Sequence, residues 1–448
     1  MSDPRFFEAW SPAEGAARAD QGFRARFGSA PAGVWAAPGR VNLIGEHTDY
    51  NGGLSLPIAL PHRTYFAASP SGSDNARLTS AQAADAVFEI PMARVAPGAV
   101  KGWGAYAVGV LWALRLRDLP APALTGHVDS CVPLGAGLSS SAALEAAVAL
   151  AATDLGGGSG AGSVVDGVVS SAGFGGLPDA VGAVDGIGGV GVFAARSLGG
   201  AGGPAGGERA RRAILAAACV DAENRIAGAP TGGMDQAAAL LAAEGHALLV
   251  DSTSGASELV PFDLAAAGLE LLVIDTRAKH ALVDGQYGER RATCERAAAV
   301  LGVENLGQLP VAELPEAIAR LGGADAVAAR RVRHVVTEID RTRQFVGALR
   351  AGELALTGPL MDGSHASLRD DYEVSAPELD LAVAAARQAG ALGARMTGGG
   401  FGGSAIALVR RSESATVAAA VAASFARAGW KTPVFLLADP AGPAERLL

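Results

Sequence analysis

The Ala/Leu-rich run from Ser140 to Leu155 opens directly on the turn Gly135-Ala-Gly-Leu-Ser-Ser-Ser141, and this junction constrains the fold most. A strand ending at Val132, the loop Pro133–Gly137 and a long helix must follow one another there without slack. The glycines let backbone N–H groups come close to an anion, and the helix presents its positive N-terminal end to the same point. Ser139, Ser140 and Ser141 add hydroxyls that can cap the helix or reach a phosphate-bound Mg²⁺. An ordinary Ser-capped helix after a glycine turn has the same pattern, so the segment alone leaves both readings open. The Gly-Lys-Ser/Thr step of a Walker A loop is absent, so no loop lysine neutralises a bound phosphate and metal must do more of that work.

Length and charge narrow the class. The chain has 448 residues, about three times the ~150-residue prior for one domain, so two domains are expected. Half of the residues are hydrophobic and 18% are charged, enough apolar material for a sizeable core. A formal charge of −9 leaves no basic excess for nucleic-acid phosphates, which argues against that partner. No charge-free run reaches the ~18 residues of a membrane span, and Met1–Arg5 opens no signal peptide. Cys131, Cys219 and Cys294 stand singly, without zinc or disulfide spacing. The expectation is a cytoplasmic globular protein, monomeric and without nucleic-acid or membrane partners.

Alanine is abundant and only Lys101, Lys279 and Lys431 are lysines, so elements are judged by position and not by helix propensity. Residues 34–60 read as strand, polar loop and strand, and 63–90 as further strands. Residues 102–116, 140–155, 208–226, 289–301, 327–350 and 415–428 read as helices, and 247–251, 270–275, 405–409 and 434–437 as strands. The helices 289–301 and 327–350 are rich in Arg and Glu on one side. Short, scattered strands of this kind fit an α+β fold better than a doubly wound parallel sheet. The window 156–208 holds 20 of the 61 glycines and no lysine, and it lacks periodicity. It reads as a flexible insertion that loops out from two helices packed side by side.

Three further segments carry chemistry. In Arg40-Val-Asn-Leu-Ile-Gly-Glu-His-Thr-Asp-Tyr-Asn-Gly-Gly53, the polar side chains of Glu46, His47, Thr48 and Asp49 crowd a tight loop between apolar strands. Such a cluster can bind a metal or accept hydrogen bonds from hydroxyls, and adjacent Glu46 and His47 suit a polyol better than a chelated ion. In Asp221-Ala-Glu223 and Thr231-Gly-Gly-Met-Asp235-Gln236, one acid ends a helix and another follows a glycine turn. Near a phosphate loop these suggest one acid for Mg²⁺ and one as a general base, although Asp in a glycine turn is often structural. In Met396-Thr-Gly-Gly-Gly-Phe-Gly-Gly-Ser404, Gly398, Gly400 and Gly403 match G-x-G-x-x-G, but no acidic residue about 20 positions on holds a ribose and no βαβ unit follows. A glycine wall against a ligand or another loop is the better reading.

Together the segments resemble the galactokinases of the GHMP kinase superfamily. Gly39–Tyr50 is like the galactokinase signature, 133–145 like the superfamily phosphate loop and 396–404 like its third motif. Ser364-His-Ala-Ser-Leu-Arg-Asp-Asp-Tyr372 and Gly232-Gly-Met-Asp-Gln236 are similar to further galactokinase stretches. The likeness runs from about Phe23 to the C-terminus, apart from the glycine-rich window. It implies a two-domain α+β GHMP kinase-type fold, with domains 1–245 and 246–448 and an active site in the cleft between them. It implies transfer of the ATP γ-phosphoryl group to the C1 hydroxyl of α-D-galactose, with ATP as co-substrate and Mg²⁺ as metal.

Residue by residue, the resemblance puts Glu46, His47, Thr48, Asp49, Gly232 and Tyr287 at the sugar. Gly135, Ala136, Gly137, Leu138, Ser139, Ser140 and Ser141 fall at the nucleotide, with Ser80 and Trp103 bordering the adenine. Ser141 and Glu223 fall at Mg²⁺, Asp235 at the general base and Arg40 at the cation beside it. Two rival readings are a C1 kinase for another sugar such as N-acetylgalactosamine, and a non-catalytic galactose sensor. Sensors of that kind lack part of the Ser-Ala step, whereas Ser141-Ala142, Glu223 and Asp235 are all present here.

Overall fold

Two sheets with mostly antiparallel pairing organise the chain in the computed structural model, which describes residues 4–83, 86–157, 204–278, 283–322 and 325–448. The first half runs β1 (Arg5–Phe6), α1 (Pro12–Phe27), β2 (Gly33–Asn42), β3 (Leu54–Ser55), β4 (Pro57–Pro70), β5 (Asn75–Ser80) and β6 (Phe88–Pro91). It continues with α2 (Gly104–Arg115), β7 (Leu124–Ser130), α3 (Ser140–Gly156), α4 (Pro204–Asp221) and α5 (Met234–Leu241). The second half runs β8 (His246–Asp251), β9 (Ala256–Pro261), β10 (Leu269–Asp275), α6 (Val283–Leu301), α7 (Leu314–Gly322), α8 (Ala326–Ala351) and α9 (Thr357–Asp370). It ends with α10 (Pro377–Gln388), β11 (Gly393–Thr397), β12 (Ser404–Arg410), α11 (Ser414–Arg427), β13 (Val434–Leu437) and β14 (Glu445–Arg446).

One sheet has the order β14-β2-β4-β7-β5-β6 and the other β1-β13-β10-β12-β11, with β3-β8-β9 as a third, smaller sheet. The α+β expectation therefore holds. Both chain ends cross sides: Arg5 and Phe6 pair with Val434 and Phe435, and Glu445 and Arg446 pair with Ala36 and Trp35. In β2 the pairing with β4 slips between Pro38 and Arg40, opposite a stretch in which Pro61 has no N–H to donate. That irregularity lies next to Arg40, whose side chain reaches Asp235.

Helix α3 owes its Ala/Leu composition to burial on all sides, since every residue from Ala142 to Ala152 is buried. Its C-terminal end lies beside α4, where Arg211 donates to Asp154 at 2.8 Å and Asp154 also accepts from Trp35 Nε1 at 2.8 Å. The two helices thus run side by side, as the sequence suggests, and α4 begins at Pro204, ahead of the expected 208. Most of the 156–208 reading lies outside the described residues. Several elements go beyond the sequence expectation: α1, with Ser11 accepting from Glu14 N–H and Gly28 closing it in the left-handed conformation, and also β9, α9, α10 and β11.

One apolar cluster joins the halves. Val41, Ile44, Leu56 and Ile58 from the first pack with Phe345, Met361, Ile406 and Leu436 from the second, beneath the loops that carry the motifs. Above it sits a buried charge cluster. Arg395 of β11 is fully buried and donates to the Asn42 carbonyl at 3.2 Å, with Glu46 and Glu338 at 3.7 and 3.9 Å. Glu338 of α8 accepts from Gly45 N–H at 3.0 Å, Ser364 Oγ at 2.5 Å and Arg341 at 2.6 Å. Burial pushes the Glu338 carboxyl up, but Arg395, His334, Arg341 and the Ser364 hydroxyl hold it down at about 2. Replacing Arg395 by Met leaves the buried Glu46 carboxyl without its nearest cation and Glu338 with Arg341 alone, and urea unfolding should show a loss of about 3 kcal/mol or more.

Candidate active site

Residues 135–139 take a conformation that sorts their polar atoms onto two sides. Gly135, Gly137 and Ser139 all have positive φ, at 71°, 72° and 58°. Every second residue being left-handed turns successive N–H groups into one concavity, the arrangement that receives anions. The carbonyls turn the other way into protein: Ala136 O accepts from Ser404 Oγ at 2.7 Å, Gly137 O from Arg40 Nη1 at 2.6 Å and Leu138 O from Arg40 N at 3.1 Å. Helix α3 starts at the next residue, Ser140. Ser139 does not cap that helix; its hydroxyl donates instead to Asp235 Oδ2 at 2.5 Å.

Asp235 stands in the first turn of α5, placed by Gly233 in the left-handed region at φ 99°. Arg40 grips it with a two-pronged pair, Nε to Oδ1 at 2.8 Å and Nη2 to Oδ2 at 3.0 Å. One guanidinium therefore joins the acid to the Gly137 carbonyl. Glu223 lies in a π-helical turn, Ala222–Ala227, that ends α4, a distortion often found at functional sites. Gln236 Nε2 donates to it at 2.5 Å, and the nearby Ser141 hydroxyl helps to hold its carboxyl down. Burial, then the Asp235 charge, push the Glu223 carboxyl up to about 7.

The loop 46–49 meets this group from the other side. Gly232 lies so close to Asp49 that a Cβ there would sit 2.4 Å from the carboxyl carbon. Burial, then Asp235 and Glu46, push Asp49 up to about 6. Glu46 Oε1 accepts from Gly398 N–H at 2.7 Å and Thr397 Oγ1 at 3.1 Å, tying the loop to the third motif. Burial raises its pKa, against the pull of Arg395 and Arg40. His47 has φ 61°, with its ring bonded to Tyr50 and to the Gly399 carbonyl. Tyr287 of α6 lies against the His47 and Tyr50 rings, with centroids 5.5 and 5.2 Å away. Gly398 packs on the phosphate loop, where a Cβ would stand 2.9 Å from Gly137 O.

All four motifs therefore meet at one place, between the halves. Three expected residues are engaged with other parts of the protein. The Thr48 hydroxyl turns to the Gly45 and Leu54 carbonyls of its own loop at 2.8 and 2.7 Å, so it builds the loop. Ser80 bonds Gln82 at the end of β5, and Trp103 packs on Phe88 ahead of α2. In return the site recruits Arg395, Glu338, Gln236 and Tyr372, which sequence reasoning did not single out. Gln236 and Tyr372 stand inside motif segments, and their amide and phenol were the available signal.

Known proteins resemble this chain in sequence and fold. A model described as the galactokinase galactose-binding signature matches residues 21–70, and the GHMP kinase N-terminal and C-terminal models match 105–168 and 345–427. The galactokinase of Streptomyces coelicolor is 45% identical over 426 residues, covering 95% of this chain and 97% of that protein. The chain belongs to the galactokinase family. The human galactokinase is 40% identical, covering 89% of each chain. The crystal structure of Lactococcus lactis galactokinase complexed with galactose superposes with a TM-score of 0.78 at 28% identity, covering 96% of this chain and 98% of that one. The GHMP kinase fold and the class of ATP-dependent sugar kinase follow. Among the described residues no helix is long and apolar enough to cross a membrane.

The raised Glu223 carboxyl gives a pH prediction for the ligand-free chain. Its carboxyl ionises near 4.5 when unfolded and near 7 when folded, so stability is lost as pH rises across that window. In urea unfolding, Glu223→Gln should be close to the parent in stability at pH 5 and more stable at pH 8, by on the order of 3 kcal/mol at full ionisation. A gap that does not widen with pH would contradict this.

Proposed function

We propose that the chain transfers the γ-phosphoryl group of ATP to the C1 hydroxyl of α-D-galactose, giving α-D-galactose 1-phosphate and ADP. The observation that carries the reading is the bonding of Asp235 to Arg40 and Ser139. An acid that can take a hydroxyl proton is joined through one guanidinium and one hydroxyl to the anion-receiving loop, and its charge acts on Asp49 of the carboxylate-rich loop. We assign residues 1–245 and 246–448 to the two domains whose cleft this is, and we read the protein as a cytoplasmic monomer. Its three cysteines, all free and buried, suit a reducing compartment.

In this mechanism Glu46, Asp49 and Tyr287 orient the sugar, with Gly232 and His47 shaping the floor. Carboxylates are acceptor-only groups, and sugar hydroxyls are their natural donors. The N–H groups of 135–141 and the start of α3 hold the nucleotide phosphates. Asp235 takes the C1–OH proton as that oxygen attacks the γ-phosphorus. Arg40 holds Asp235 in line and offsets charge that builds on the transferring group.

Ser141, at the start of α3, and Glu223, buried and with its carboxyl held down in part by the Ser141 hydroxyl, are hard oxygen donors, which fits Mg²⁺ with its preference for one or two protein oxygens plus phosphates and water. When bound there, Mg²⁺ would supply the phosphate neutralisation that a lysine-free loop cannot.

A coupled ADP-release assay over galactose, N-acetylgalactosamine, glucose and arabinose tests the substrate. Galactose should give the highest kcat/KM, and a higher value for N-acetylgalactosamine would move the assignment to that sugar. Asp235→Asn should lower kcat at least about a hundredfold while calorimetry finds galactose affinity within about tenfold. Near-normal turnover would remove Asp235 from the role of base.

A further inference from the structure

His47 is expected at the sugar, yet both of its ring nitrogens are already engaged. Nε2 lies 3.2 Å from the Gly399 carbonyl oxygen and Nδ1 lies 2.8 Å from the Tyr50 hydroxyl. That hydroxyl is 2.9 Å from the Tyr372 hydroxyl, which is 3.2 Å from Cys294 Sγ. Cys294 and Tyr372 are almost fully buried, and no step of the phosphoryl transfer uses them.

The direction of this chain follows from proton counting. A carbonyl only accepts, so His47 Nε2 carries the hydrogen. Burial, with neighbouring His334 adding to it, pushes His47 down to about 3, so the ring is neutral and Nδ1 is a lone pair. Tyr50 must then donate its one proton to Nδ1. Its oxygen accepts from Tyr372, whose own proton is thereby spent, and Tyr372 in turn accepts from the Cys294 S–H.

Packing keeps the chain in register. Tyr372 lies against His334 and His47 with centroids 4.5 and 4.9 Å apart. His334 bonds the Glu46 carbonyl at 3.1 Å, and Asn51 donates to the His47 carbonyl at 2.8 Å.

We propose that Tyr372 and Cys294 are positioning residues of the sugar site. A one-way donor chain, Cys294 to Tyr372 to Tyr50 to His47, locks the imidazole in its Nε2–H form and clamps the 46–49 loop onto the glycine turn at Gly399. His47 then serves the sugar by fixing Glu46 and Asp49 on either side of it, while its own ring nitrogens stay within the protein. The effect on catalysis rests on the reading of that loop as the galactose site; the donor chain itself does not.

The test has two arms. In the first, ¹⁵N-histidine NMR of the sugar-free full chain should show His47 with a protonated Nε2 and an unprotonated Nδ1, unchanged from pH 6 to 9. A protonated Nδ1 would overturn the proposal whatever the substrate is. In the second, Tyr372→Phe keeps the ring and removes the hydroxyl, and it should raise the galactose KM about five- to tenfold with the ATP KM within about twofold. Equal changes in both constants, or none, would overturn it. If Tyr372→Phe does not fold, cysteine variants decide: Cys294→Ser keeps a donor and should hold galactose KM within about twofold, while Cys294→Ala should exceed that. Identical Ser and Ala variants would count against the chain. A parent protein that binds no galactose but shows the Nε2–H form would sink the functional reading and leave the donor chain standing.

Discussion

A single buried cation holds the two halves of the site in register. Arg395 lies on β11 in the second half, but its partners are the Asn42 carbonyl and Glu46 on the first and Glu338 on α8. Taking three charges out of water costs several kcal/mol per ion, so the cluster is no simple gain in stability. What it fixes is geometry. Glu338 accepts the Gly45 N–H, and Gly45 has φ 89° with no space for a Cβ beside the Leu54 carbonyl. The loop that follows, from Glu46 to Asp49, starts from an anchored point.

Arg40, on β2, has a comparable role where the glycine loop 135–139 meets Asp235. It holds Asp235 with two bonds and the Gly137 carbonyl with a third, so the phosphate loop and the acid cannot drift apart independently. The carbonyls of 136, 137 and 138 are all satisfied by protein donors, which fixes the turn of the loop from Ala136 to Leu138. Preorganisation of this kind is the main resource of a phosphoryl-transfer site, where positioning and charge do most of the work.

The motif residues were legible because their chemistry is local: glycines where the backbone must turn or approach closely, and carboxylates packed into a few positions. Even there, residue type did not give direction, and the hydroxyl of Thr48 faces its own loop while that of Ser139 serves Asp235. The supporting residues were hidden by their burial. Glu338 and Arg331 sit on a helix rich in Arg and Glu on one side, where residue type does not tell a buried charge from an exposed one, yet both are buried. Arg395 interrupts a short strand, so 393–397 carries no apolar run. Ser364, His365 and Ser367 give α9 a buried polar face, which erases the periodicity that marks a helix. Signals for α1 and α10 were present, Ser11-Pro12 and Pro377-Glu378, but stood in Ala-rich surroundings where propensity says little.

The crossing of the chain ends has a kinetic side. Phe6 finds its place beside Phe435, and Arg446 beside Trp35, so each pairing closes a loop of roughly 400 residues. Such contacts raise the contact order of both sheets and can only form late. A cut near residue 245 would separate β1 from the sheet it completes and β14 from the other. The two halves are therefore two lobes of one folding unit, each waiting on a strand from its neighbour.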